Sequence, residues 1–97
     1  MSNQNNGNIF YLDTFSSDII ISSTPCEIIG ITMYTQTAPD KLVLKDNSGQ
    51  IVVNIQTSSN NQTIEFSPCC PIRCNGLVLK VSDGNYDGTS IVMIYLR

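Results

Sequence analysis

Four cysteines are the residues of this 97-residue chain whose chemistry could most readily define a functional site. Three of them, Cys69, Cys70 and Cys74, stand close together in the segment FSPCCPIRCNG, and Cys26 lies far earlier in the chain. Thiols can ligate zinc, carry out redox chemistry, form disulfides or pack as small apolar side chains. Each of these roles needs different companion residues, so the surrounding sequence has to distinguish them.

The sequence lacks the companions that zinc binding and thiol catalysis require. Structural zinc is usually held by four Cys or His ligands in two closely spaced pairs. Only Cys70 and Cys74 have a suitable spacing, and the chain has no histidine, so Cys26 and Cys69 would have to complete the site. A C-x-x-C redox motif and an imidazole base for a nucleophile are also missing. We therefore predict structural thiols, either buried and free or with Cys26 joined to Cys69, Cys70 or Cys74.

A second candidate site is the segment DGNYDG, in which Asp83, Asn85 and Asp87 alternate before Gly88. This pattern matches the first half of an EF-hand calcium loop. Ile94, however, occupies the position where the loop needs a bidentate glutamate. Asp, Asn and Gly are also typical of tight turns between strands. The sequence favours a turn here, with a calcium site as the less supported alternative.

The composition excludes several classes of function. Only 13% of the residues are charged, 41% are hydrophobic, and the net charge is −3. The few basic residues are scattered, whereas nucleic-acid binding needs clustered Lys and Arg. The apolar runs are too short for a membrane helix, and the N-terminal residues lack the features of a signal peptide, so we expect synthesis in the cytoplasm. Glu27 and Glu65 show no sign of a catalytic carboxylate pair. We therefore predict no enzymatic activity, no cofactor, and no nucleic-acid or membrane partner.

The segments that carry the candidate residues have the sequence patterns of β-strands. Ile, Val and Thr are abundant, turn-forming clusters such as SSTP and TAPD recur at short intervals, and several segments alternate with period two. The candidate strands are NIFYL, DIIIS, CEIIGITMYTQ, KLVLK, QIVVNIQ, QTIEF, GLVLKV and SIVMIYL. We predict an all-β fold, a jelly-roll-like antiparallel sandwich of seven to eight strands. Residues 9–97 would form this single domain, and residues 1–8 would form a flexible tail.

Three of these segments, DIIIS, NIFYL and SIVMIYL, are apolar on both faces. A sandwich strand has only one core face, so the other face must be covered within the chain or by a neighbouring subunit. Small size and low charge favour a subunit interface. The candidate interface residues are Ile9, Phe10, Tyr11, Ile91, Val92, Met93, Ile94, Tyr95 and Leu96.

The order of segments resembles small all-β virion proteins of tailed bacteriophages, among them the decoration or cement subunits of the head. The resemblance rests on SSTPCEIIGITMYTQTAPDKLVLKDNSGQIVVNIQ, on FSPCCPIRCNGLVLKVSDG and on SIVMIYLR. It implies a structural subunit, located in the virion, that stabilises the head without catalysing a reaction. It also implies a homo-oligomer, with a trimer favoured, that binds the major capsid protein or another virion protein.

The alternative class is a carbohydrate- or receptor-binding sandwich module, such as a component of a tail or fibre. Sugar sites usually expose aromatic rings, but this chain has no tryptophan and only four tyrosines. Tyr11, Tyr34 and Tyr95 are dispersed among the candidate strands, and only Tyr86 is expected at a loop tip. The sequence therefore favours the structural subunit.

Overall fold

The computed structural model describes residues 3–97 and contains eight strands and one short 3-10 turn. The all-β prediction of seven to eight antiparallel strands is confirmed. The elements are β1 (Gln4–Asn6), β2 (Ile9–Leu12), β3 (Ile19–Thr35), β4 (Lys41–Lys45), β5 (Ile51–Gln56), β6 (Gln62–Phe66), β7 (Ile72–Leu79), the 3-10 turn (Val81–Asp83) and β8 (Ile91–Leu96). In the part of the chain that the structure describes, no helix is long and apolar enough to cross a membrane.

The long strand β3 belongs to both layers of the sandwich. Its first part pairs with β7, and β4 and β5 follow in that order. Its last part pairs with β8 on one edge and with β6 on the other, and β2 continues the layer beyond β8. The two resulting orders, β3-β7-β4-β5 and β2-β8-β3-β6, give the jelly-roll arrangement that was predicted, with β1 added at one edge.

β3 changes layer at Ile28, which lies opposite both Ile72 of β7 and Leu96 of β8. The sequence suggested a turn at SSTP, separating two strands, but the structure has register irregularities within one strand there. A bulge bends and twists a strand without ending it. Pro25 lies in the part of β3 that pairs with β7 alone, an edge position of the kind where sheets accept proline.

The expected flexible tail is partly a strand. Gln4–Asn6 form β1, which pairs with β2 so that Asn5 lies opposite Phe10. The side chain of Asn3 holds this hairpin, because its Oδ1 accepts hydrogen bonds of 2.9 Å from the backbone N–H groups of both Asp13 and Thr14. A polar segment buries little surface, but its backbone can still extend a sheet. The prediction for residues 1–8 is therefore wrong over β1, and residues 1 and 2 lie outside the described chain.

A single apolar core lies between the two layers. Leu42 and Leu44 of KLVLK and Leu77 and Leu79 of GLVLKV are all fully buried, although Val43 on the opposite face of its strand is also only 3% exposed. Burying a side chain of this size contributes about 1.5–3 kcal/mol, so this core is the main source of stability. The remaining members of the cluster come from both layers: Leu12, Ile21, Ile28, Ile31, Met33, Val53, Cys74, Val92, Ile94 and Leu96.

A buried carboxylate ties three strand ends together at one end of the sandwich. Asp40 is 1% exposed, and its Oδ2 accepts hydrogen bonds from the hydroxyls of Thr35, at 2.5 Å, and of Ser90. Its backbone N–H donates to the Thr57 hydroxyl at 2.8 Å. These partners stand at the end of β3, after β5 and before β8. Buried polar groups are stabilising only when they are paired, and this set is mutually satisfied.

We expect Asp40→Ala to lower the free energy of unfolding by about 3 kcal/mol or more, because it removes the buried carboxyl group on which the Thr35 and Ser90 hydroxyls converge. Urea denaturation followed by circular dichroism measures this change. Glu65→Ala removes an exposed carboxylate and is the matched control, with an expected change within about 0.5 kcal/mol. A loss below about 1 kcal/mol for Asp40→Ala would contradict this role.

Candidate functional site on the outer face of the β2-β8-β3 layer

Strand β8 separates the predicted interface residues into two groups. One group belongs to the core and not to an exterior contact: Val92 and Ile94 are fully buried and Leu96 is 9% exposed. Phe10 packs against this same cluster, opposite Ile94. The other group points outward and is exposed or half-buried: Ile9, Tyr11, Ile91, Met93 and Tyr95. Only this second group can contact another molecule through its side chains.

The outward residues join those of β3 in one continuous surface. We call it the tyrosine face and define it as Ile9, Tyr11, Gly30, Thr32, Tyr34, Ile91, Met93 and Tyr95. Directly opposed residues of antiparallel strands project from the same side of a sheet. In the central row, Met93 lies between Tyr11 and Thr32. Register therefore brings together residues that are far apart in the sequence.

Two further rows flank the central one. On one side Tyr95 lies between Ile9 and Gly30, and on the other side Ile91 lies opposite Tyr34. Three of the four tyrosines of the chain thus share one face, although the sequence showed them dispersed. Tyr34 could not be assigned to this face in advance, because its neighbour across the sheet depends on the path of β3.

Two of the three rings of the tyrosine face, those of Tyr34 and Tyr95, are held in place by local contacts. A Cβ atom on Gly30 would lie 3.6 Å from Cδ2 of Tyr95, so the Tyr95 ring covers the backbone of a residue that has no side chain. The Tyr95 hydroxyl lies 3.8 Å from the sulfur of Met93. The Tyr34 hydroxyl donates to Oδ1 of Asn61 at 3.2 Å. These contacts reduce the conformational entropy that a partner would have to remove.

Polar residues border the tyrosine face on both edges. The central row continues to Gln4 on β1 and to Glu65 on β6. Beside Glu65, a shallow depression of about 290 Å³ opens where Gly30 leaves space next to the Tyr95 ring. An apolar centre with a polar rim is the usual anatomy of a protein interface, and a ring beside a carboxylate can also contact a small polar ligand.

The cysteines do not assemble into one site. Cys26 lies directly opposite Cys74, with their sulfur atoms 3.4 Å apart. Cys69 and Cys70 are exposed in the connection between β6 and β7. Burial, together with the hydrogen bond to Cys26, raises the pKa of Cys74 to about 12. Among residues 3–97, no three His, Cys, Asp or Glu side chains come together in a group that could hold a metal ion.

The DGNYDG segment is a hydrogen-bonded loop whose polar side chains have separate partners. Asp83 Oδ2 lies 3.0 Å from Lys45 Nζ, an ion pair by distance without hydrogen-bond geometry. The Asn85 amide donates to a backbone carbonyl at 2.8 Å. Burial raises the pKa of Asp87, but hydrogen bonds from the Thr89 hydroxyl and backbone outweigh it, so the pKa lies below its usual value. The three candidate calcium ligands therefore do not converge.

Two other sequence candidates are engaged in packing or ion pairs. Tyr86, expected at a loop tip, is half-buried and stacks on Phe15, with ring centroids 4.4 Å apart. Burial raises the pKa of Tyr86 to about 12. Glu27 lies 3.2 Å from Nε of Arg73 and 3.7 Å from Nε of Arg97. Neither Tyr86 nor Glu27 belongs to the tyrosine face.

No protein-family model, curated protein or solved structure matches this chain. The tyrosine face extends across three strands, β2, β8 and β3.

We expect neither calcium chloride nor EDTA to change the midpoint of thermal unfolding by more than about 1 °C. Only a metal that binds the folded state raises that midpoint, and the candidate ligands do not converge. Differential scanning calorimetry of the full chain, with elemental analysis of the purified protein, measures both quantities. An EDTA-induced decrease of several degrees, or one zinc or calcium ion per chain, would contradict this expectation.

Proposed function

We propose that this protein is a non-enzymatic structural subunit of a bacteriophage virion that decorates and stabilises the head. The observation that carries the proposal is the tyrosine face, a contiguous aromatic and aliphatic strip on the outside of a rigid sheet. Single exposed apolar side chains are ordinary, whereas contiguous ones mark sites of contact. The face points away from the core and includes no Lys, Arg, Asp or Glu.

The residue types of the tyrosine face are those of protein interfaces. Tyr and Met are enriched at the centre of such interfaces, and Lys, Glu and Asp are depleted there. Tyr supplies a large contact area for little loss of side-chain entropy. Glu65 provides charge only at the rim, where it remains hydrated. This arrangement favours a flat protein partner over a deep small-molecule site.

Composition and architecture support an assembly role. With 13% charged residues and a net charge of −3, copies of the chain repel one another only weakly. The jelly roll is an architecture that viral capsid proteins use, which is an argument by analogy at the level of the fold. The partners we propose are further copies of the chain, as a trimer, and the major capsid protein or another virion protein.

We expect wild-type protein to sediment as an oligomer and Met93→Asp to sediment near the monomer mass of 10.7 kDa. A carboxylate at the centre of the tyrosine face would be desolvated without a partner, which should weaken association by more than about 100-fold. Sedimentation equilibrium at high micromolar concentration measures the masses, and circular dichroism verifies that the variant is folded.

The matched control is Ile51→Asp, which introduces the same charge at an apolar residue that is 60% exposed on the other layer. It should associate as wild type does. If wild type is a monomer, or if both variants dissociate equally, the tyrosine face is not a self-association surface.

A second candidate function is carbohydrate binding, favoured by the depression between the Tyr95 ring and Glu65. Sugars place their apolar face on an aromatic ring and their hydroxyls on carboxylate or amide groups. If this function is correct, a glycan array will show selective binding that Tyr95→Ala and Glu65→Gln each weaken by at least about tenfold. Ile51→Ala is the control and should bind as wild type does. An array without selective binding would eliminate the sugar-binding function and leave the structural subunit.

A further inference from the structure

We propose that Cys26 and Cys74 are a disulfide-forming pair that covalently locks β3 to β7 when the protein meets a low-molecular-weight disulfide such as oxidised glutathione. This inference is independent of the tyrosine face, because the two thiols lie on the β3-β7 side of the sandwich. It selects one pairing from the three that the sequence left open.

The backbone already holds the pair at bonding distance. Cys26 and Cys74 are directly opposed in an antiparallel register, and the adjoining pairs Pro25–Asn75 and Glu27–Arg73 are in register on both sides. Opposed residues of antiparallel strands have Cα atoms about 4.5–5.5 Å apart, and disulfides span Cα separations of about 4.4–6.8 Å. The sulfur atoms are 3.4 Å apart, so side-chain adjustment suffices to join them.

The location of the pair gives the bond a structural consequence. Cys26 stands two positions before Ile28, the residue at which β3 passes from one layer to the other. Bulges earlier in β3 interrupt its pairing with β7. A covalent link at Cys26 would therefore hold the two strands together at the junction of the layers. It would also close a loop between residues 48 positions apart.

An oxidant can reach the thiols through an open groove. Cys26 and Cys74 both line a cavity of about 540 Å³. Arg73 and Arg97 line the same cavity, together with Asp46 and with Glu27, which is paired with both arginines. Positive and negative side chains balance in this lining, so the groove gives an oxidant physical access without selecting its charge.

The reaction is thiol–disulfide exchange in two steps. Cys26, the more exposed thiol, loses its proton and its thiolate attacks one sulfur of glutathione disulfide, which forms a mixed disulfide and releases one glutathione thiolate. Cys74 then loses its proton and attacks the sulfur of Cys26, which releases the second glutathione thiolate. The two protons end on the two glutathiones. The protein thiols are oxidised by two electrons, and one glutathione disulfide is reduced to two thiols.

The buried thiol limits the second step. Because burial raises the pKa of Cys74 to about 12, only a small fraction of this residue is thiolate at neutral pH. Ring closure should therefore accelerate as the pH rises from about 7 to 9.

The experiment equilibrates the full chain with glutathione buffers of increasing oxidised fraction and maps the linkages by mass spectrometry of non-reduced peptides. The double variant Cys69→Ser/Cys70→Ser, which changes only exposed residues, isolates the pair. We expect a Cys26–Cys74 peptide in wild type and in this variant, with a thermal midpoint that rises by roughly 10 °C and falls again on reduction.

Cys26→Ser in the same Cys69→Ser/Cys70→Ser background is the matched control, and it should show neither the linked peptide nor the rise in thermal midpoint. The proposal is overturned if the double variant keeps both thiols free or only glutathionylated in the most oxidising buffer. It is equally overturned if wild type links Cys26 to Cys69 or Cys70, or if the linked form is no more stable than the reduced form.

Discussion

The whole structure depends on β3 remaining one hydrogen-bonded strand as it passes between the two layers. At Ile28 its backbone is paired with β7 and with β8 at once, so the layers cannot separate without breaking that ladder. Both surfaces of interest follow from this path. Before Ile28 the strand presents Cys26 to β7, and after Ile28 it presents Thr32 and Tyr34 to the tyrosine face.

Sequence patterns predicted the structural features that each strand determines by itself. The inward positions of Leu42 and Leu77 follow from period-two alternation, which belongs to each strand alone, and the all-β class follows from their number. β1 could not be predicted, since its pairing uses backbone groups that every polar residue carries. The segment SSTP was misinterpreted for a related reason: Ser, Thr and Pro suit a turn, and they also suit a bulge in an edge strand.

The candidate site was predictable in composition but not in geometry. SIVMIYL is apolar on both faces, so periodicity could not decide whether Ile94 or Met93 faces the core. Packing decides it, because the inward face must fit the residues that β2 and β3 already supply. The grouping of Tyr34 with Tyr95, and of Cys26 with Cys74, depends on which strands become neighbours across long stretches of chain. That information is distributed over the whole sequence.

The two outer faces of the sandwich differ in how their apolar residues are covered. On the β7-β4-β5 side, the outward residue Val43 is only 3% exposed. The backbone N–H of Val43 donates a hydrogen bond to the hydroxyl of Tyr86. The exposed Ile20 and Ile51 of that layer are separated across the sheet by Lys45, which is paired with Asp83, so they form no continuous strip. On the β2-β8-β3 side the apolar residues are contiguous and free of charge. A chain that can cover Val43 with a loop could have covered Met93 in the same way. That face instead carries three tyrosine rings, two of them held by neighbouring residues, and this difference supports our proposal that it contacts another molecule.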